Sequence, residues 1–131
     1  MKWTIEFVKH GNYFRVVNQG IYEAGDSVKL YQNIFSDKSW TSGSSILMDN
    51  RQVDYRNVNY RVMSQSSHNL INYETQIANS RIGYIVGSQV GFGVCRQFQL
   101  LMEGKLAVNI EVFTDEEKAV KWLTEKQISS V

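Results

Sequence analysis

The spacing of apolar positions changes several times along the chain, and each change marks an element. Trp3, Ile5 and Phe7 alternate with Thr4 and Glu6, a period of two that predicts a half-buried strand. His10, Gly11 and Asn12 supply turn chemistry, and Tyr13 to Val17 reads as the returning strand. Residues 2–18 therefore read as an antiparallel hairpin at one edge of a sheet, with Gly20 breaking its second strand. From Glu23 to Asp37 the spacing becomes helical, with Val28, Tyr31, Ile34 and Phe35 as apolar positions and Asp26 or Ser27 as the cap. Ser39 to Ser45 is loop. Ile46, Leu47 and Met48 then form a short interior strand ending at Asp49, Asn50 and Arg51. The polar stretch from Gln52 to Met63 reads as a long connection, followed by a helix from a Ser64 cap to about Asn79.

The second half has the sharper pattern: strand, helix, strand, helix. Arg81 to Gly87 is a short apolar run closed by glycine and serine, as expected of a strand buried in a parallel sheet. Val90 to Met102 places Val94, Cys95, Phe98, Leu101 and Met102 at helical spacing, and Gly104 stops that helix. Leu106 to Phe113 is the next strand. Thr114 and Glu117 fit a reciprocal capping box for a last helix that turns Ala119, Trp122 and Leu123 inward. Ile128 to Val131 is expected to fray. Two strands followed by three alternations of helix and strand predict an α/β fold with a mixed sheet. Its opening hairpin is antiparallel and its later β-α units are parallel.

Composition narrows the class without naming a chemistry. At 131 residues the chain is expected to be one domain, residues 1–131, long enough to bury a core without a metal or disulfide. A formal net charge of +1 argues against a general nucleic-acid binder. Cys95 is the only cysteine, no secretory leader opens the chain, and no apolar run approaches the roughly 20 residues of a membrane span. A soluble cytoplasmic protein is the expectation.

Ligands of open α/β sheets gather outside the carboxyl ends of the strands. That rule selects Asp49, Asn50 and Arg51, then Gly87, Ser88 and Gln89, then Thr114 and Asp115. Asp49 and Arg51 lie two apart and point the same way in an extended segment, as a polar binding rim or as a plain surface ion pair. Ser88 opens a glycine-bearing helix start that suits an anion, although no phosphate or dinucleotide motif is present. Gly91 and Gly93 could equally serve close packing. Phe92 and Arg96 follow on the same helix and could face a ligand. The aromatic residues, Tyr22, Tyr31, Phe35, Trp40, Tyr55, Tyr60, Phe92 and Phe98 among them, exceed what one small core encloses. The space beneath Tyr31, Phe35 and Phe92 is thus a candidate pocket. Cys95 reads as a core residue, and His10 and His68 have no partner at metal-ligand spacing. No catalytic constellation, metal site or cofactor is expected.

Several short runs have a familiar arrangement. Met48, Asp49 and Arg51; Val86, Gly87 and Ser88; Phe92, Gly93, Arg96 and Phe98; and Glu111, Val112, Phe113, Asp115, Ala119, Trp122 and Leu123 together resemble the SpoIIAA-like family. Its fold is related to the STAS domains of anti-sigma-factor antagonists and to the lipid-binding SEC14 (CRAL-TRIO) domains. The resemblance implies an α/β domain without catalytic machinery, working as a regulatory or ligand-binding module. Its partners would be a protein or a small ligand. In the antagonists a kinase phosphorylates a serine at a helix start. The corresponding stretch offers Ser64, Ser66 and Ser67, without the aspartate before and the glycine after that the motif carries. The related SEC14 role would be binding of a small hydrophobic or lipid ligand, with peripheral association at a membrane surface. The expected sheet edge and exposed aromatics also suit a homodimer.

Overall fold

Residues 1–125 are described by the computed structural model. Among them, β1 (Lys2–Val8), β2 (Tyr13–Ile21), β3 (Ser45–Asp54), β4 (Arg81–Ile85) and β5 (Asn109–Phe113) form one sheet in the order β1-β2-β3-β4-β5. β1 runs antiparallel to β2, and every later neighbour is parallel. The connections are α1 (Asp26–Phe35), then α2 (Tyr60–Ile71) with the short α3 (Glu74–Ile77), then α4 (Gln89–Met102). α5 (Glu116–Thr124) follows the last strand.

Strand order without reversal has a direct consequence. Crossovers of one hand that all step the same way along a sheet lay their helices on the same face. α1, α2 and α4 accordingly share one core with Val16, Ile46, Met48, Ile82, Tyr84 and Ile110. α5 covers the opposite face, where Ala119 and Leu123 meet Tyr13, Leu47 and Ile85. The middle strands are buried from both sides, which explains the nearly continuous apolar runs of β3 and β4. Arg81 holds the far end of α5 by donating to the carbonyls of Trp122 (2.6 Å) and Glu125 (3.0 Å), groups a helix C-terminus leaves unpaired.

Several boundaries differ from the sequence expectation. Gly20 does not break β2; it takes a φ of +98° and stays paired with Val53. β3 runs on through Gln52, Val53 and Asp54, which align with Gln19, Gly20 and Ile21. Sheet pairing holds a segment whose polarity alone reads as loop. Asn59, not Ser64, caps α2, its side chain accepting from Val62 N at 2.9 Å. The helix then breaks at Asn72 and Tyr73 before α3. α1 has no side-chain cap at its start; Asp26 instead accepts from Glu23 N. β5 begins at Asn109 rather than Leu106. The cap of α5 is Asp115, which accepts from Glu117 N and Lys118 N, and the Thr114–Glu117 box does not form. The fraying expected for Ile128 to Val131 lies outside the described residues.

Candidate functional site

The candidate residues of the sequence divide between the two faces of the sheet. Asp49 and Arg51 lie on the α5 side. Arg51 grips Asp49 with Nε to Oδ1 at 2.9 Å and Nη2 to Oδ2 at 2.7 Å. Arg15 donates to the same carboxylate at 3.2 Å and to Glu116 Oε1 at 2.6 Å, and Arg51 reaches Glu116 at 3.3 Å. Two cations and two anions thus close on one another, with Glu116 in the first turn of α5 where the helix dipole favours a carboxylate. Asp49 is buried, and the hydrogen bond from Arg51 holds its carboxyl below the usual range despite the burial. The bond to Glu116 raises the Arg15 guanidinium. All four groups are already satisfied, and the arrangement docks α5 on the sheet.

Tyr31 lies on the other face, in the wall of a cavity roofed by α1, α2 and α4. The cavity has a volume of about 60 Å³, within a hollow of about 580 Å³ that includes its open mouth. Its floor is the carboxyl half of the central strands. Asn18 enters from β2, Met48 and Asn50 from β3, and Tyr84 from β4. Tyr22 and Tyr55 follow β2 and β3, while Ser66, Cys95 and Phe98 come from the helices.

Strand alternation builds this floor, with a register shift beside it. Val17 aligns with Asp49, but Gln19 aligns with Gln52, so β3 carries one extra residue beside β2. Asp49 and Arg51 meet on the α5 side while Asn50, between them, serves the cavity. Ordinary alternation along β3 sends Asn50 to the face of Ile46 and Met48, and Asp49 and Arg51 to the face of Leu47. Asn18 Nδ2 donates to Asn50 Oδ1 at 2.7 Å, and Asn50 Nδ2 donates to the Tyr55 hydroxyl at 3.0 Å. The Tyr55 hydroxyl in turn meets Cys95 Sγ at 3.5 Å. The Tyr22 hydroxyl shares a hydrogen bond with Ser66 Oγ. At the other end of the first amide, Asn18 Oδ1 is buried with no partner.

No acidic or basic side chain lines the cavity. Burial pushes the phenols of Tyr22, Tyr31, Tyr55 and Tyr84 upward and the Cys95 thiol up to about 11. Every lining side chain is therefore uncharged at neutral pH, and the thiol is not a ready nucleophile. Gly91 lets α4 approach this closely: a Cβ there would lie 3.3 Å from Tyr55 and 3.4 Å from Val86.

The remaining candidates are dispersed. Ser88 caps α4, accepting from Gly91 N at 3.0 Å. Phe92 is 41% exposed on that helix, and Arg96 is exposed, donating to Gln99. Phe35 is outside the cavity and stacks with Tyr73 (4.5 Å between ring centres) and edge-on against Trp40 (4.8 Å). Ser66 and Ser67 are buried on α2 and Ser64 is half-buried, so a kinase would have to open the helix to reach either inner hydroxyl. Sequence reasoning missed Asn18 and Tyr84. Asn18 carried a usable signal: it continues the inward series Phe14, Val16, where a polar side chain is out of place. Among the described residues, no group of three His, Cys, Asp or Glu is placed to hold a metal ion. Nor is any helix there long and apolar enough to cross a membrane.

No protein-family model and no curated protein matches the sequence. The structure is similar to the crystal structure of an uncharacterised protein of the DUF3478 family, with a SpoIIAA-like fold, from Shewanella loihica PV-4. The match has a TM-score of 0.61 at 12% identity and covers 93% of this chain and 92% of that one. The fold of this chain is SpoIIAA-like, as the residue pattern implied.

Proposed function

We propose that this protein is a non-enzymatic, STAS-like binding module that holds a small uncharged ligand in the cavity beneath α1, α2 and α4. The observation that carries this reading is the wall itself. It is built largely of aromatic and aliphatic side chains, studded with hydrogen-bonding hydroxyls and amides, and free of charged side chains. Ligand sites combine apolar walls with a few placed polar groups in this manner. The Met1 ammonium at the cavity is already paired with Asp26 at 3.4 Å, so a charged ligand would lose its hydration there with no free counter-charge in return. A neutral molecule with an aromatic or aliphatic body and a hydrogen-bonding group suits the wall. The unpaired Asn18 oxygen fits the reading, because a buried unsatisfied acceptor costs about 1–3 kcal/mol that a donor nearby would recover.

The volume favours a small ligand over a lipid. Drug-sized sites occupy roughly 300–1,000 Å³, whereas this cavity is about 60 Å³, which suits a ligand of one or two small rings seated partly in the open mouth. A SEC14-like carrier would have to enclose an acyl chain.

The methionines provide a direct test. Met48 and Met63 line the cavity, while Met102 is buried in the same core outside its wall. With methyl-labelled methionine, titration of phenol or indole should move the Met48 and Met63 resonances and leave Met102 in place. Benzoate and decanoate should move none of the three. Silence toward both neutral probes, or a response only to the anions, would remove this function.

A further inference from the structure

We infer that β1 pairs with its own copy about a two-fold axis through Thr4, so that two molecules join edge to edge into one continuous sheet. Among the described residues β1 has a neighbour on one side only, β2, and its outer backbone groups are left without a strand partner. Such an edge templates pairing with another chain unless charge or shape prevents it. Here the charge promotes self-pairing.

An antiparallel register centred on Thr4 sets Lys2 opposite Glu6 of the second copy, and Glu6 opposite Lys2. It sets Trp3 opposite Ile5, and Thr4 opposite itself. These are an opposite-charge pair, an aromatic–β-branched pair and a Thr–Thr pair, each a stabilising cross-strand combination. Symmetry supplies the first two twice, since an isologous interface repeats every contact. Lys2, Thr4 and Glu6 are exposed on one face of the strand. Trp3, Ile5 and Phe7 are half-buried on the other, leaving apolar surface that the second copy would cover. The opposite edge of the sheet lacks this property. β5 (Asn109–Phe113) carries one charged residue, Glu111, so no antiparallel self-pairing of it sets a cation opposite an anion. The pairing is read by assembly and the cavity by ligand response, so the two readings stand or fall separately.

Sedimentation equilibrium from micromolar to sub-millimolar protein tests the pairing. The wild type should form a dimer. Lys2→Glu and Glu6→Lys should each weaken it about tenfold, because two attractive pairs become repulsive at once. The double variant Lys2→Glu/Glu6→Lys should regain most of the wild-type affinity. Both positions are exposed, and circular dichroism checks that each variant folds. A monomer throughout, a dimer indifferent to the single changes, or a double variant as weak as the singles would each overturn the proposal.

Discussion

Arg51 and Asp49 are locked together by two parallel hydrogen bonds, at 2.9 and 2.7 Å, on one face of β3, while strand alternation turns the intervening Asn50 to the other face of the sheet. The most polar-looking stretch of the chain therefore supplies two unlike structures: an ion-pair network under α5, and one member of a hydrogen-bonded chain in the cavity. The network is expected to be structural. Asp49→Ala should destabilise the protein by about 1–3 kcal/mol, as removal of one partner leaves two guanidinium groups with Glu116 alone. The ligand response of Met48 and Met63 should persist. Urea unfolding and the methyl titration read these separately; loss of ligand binding in a folded Asp49→Ala variant would tie the network to the site.

Acid should reveal the same carboxylate. Its folded-state pKa is depressed, first by the hydrogen bond from Arg51. Its contribution is thus fully present above the unfolded value of about 3.9 and is lost as pH falls through the folded value. The urea midpoint should decline below about pH 4, and Asp49→Asn should decline less steeply over that interval. Equal slopes would show that Asp49 binds its proton alike in both states.

The start of α5 separates two neighbouring residues. Asp115→Ala should cost about 1 kcal/mol, because its side chain serves two backbone N–H groups. Thr114→Ala should change the thermal midpoint little. The reverse ranking would restore the capping box.

Two glycines of α4 should respond oppositely to alanine. Gly93 has open space around its would-be Cβ, so Gly93→Ala should stabilise by about 0.5–1 kcal/mol through helix propensity. Gly91→Ala must push against Tyr55, Val86 and the Ser88 hydroxyl, and should destabilise or at best break even. A clear gain at Gly91 would mean that the cavity wall yields easily.

Cys95 should be nearly inert in the native protein, since it is buried with its thiol pushed up to about 11. A disulfide exchange reagent should label it at the rate of local opening and much faster in urea. Saturating phenol should slow native labelling further if the cavity holds it. Rapid labelling of the folded protein would contradict the burial of the thiol.

The stretch from Arg81 to Leu123 was legible because each signal there is local: an apolar run for a strand buried on both faces, a helical stripe, then a second round. The middle of the chain was not. Gln52 to Asp54 looks like loop by polarity and is strand by pairing, and Asn59 and Ser64 are both acceptable caps until packing selects one. For the site, the rule of strand carboxyl ends reached Asn50 and the excess of aromatics pointed to Tyr22, Tyr31, Tyr55 and Phe98. Nothing local joined them to Cys95 or set them apart from Phe35, which stacks elsewhere.

By itself the sequence determined the kinds of element and their order, and through them a sheet opened by a hairpin and continued by parallel crossovers, because periodicity and turn chemistry act within a few residues. The tertiary structure alone decided which helices cover each side of the sheet and where an empty space remains. Alternation parts Asn50 from its neighbours, but only the crossovers bring helices over it, and the cavity exists only where three helices from distant parts of the chain settle on one face without filling it.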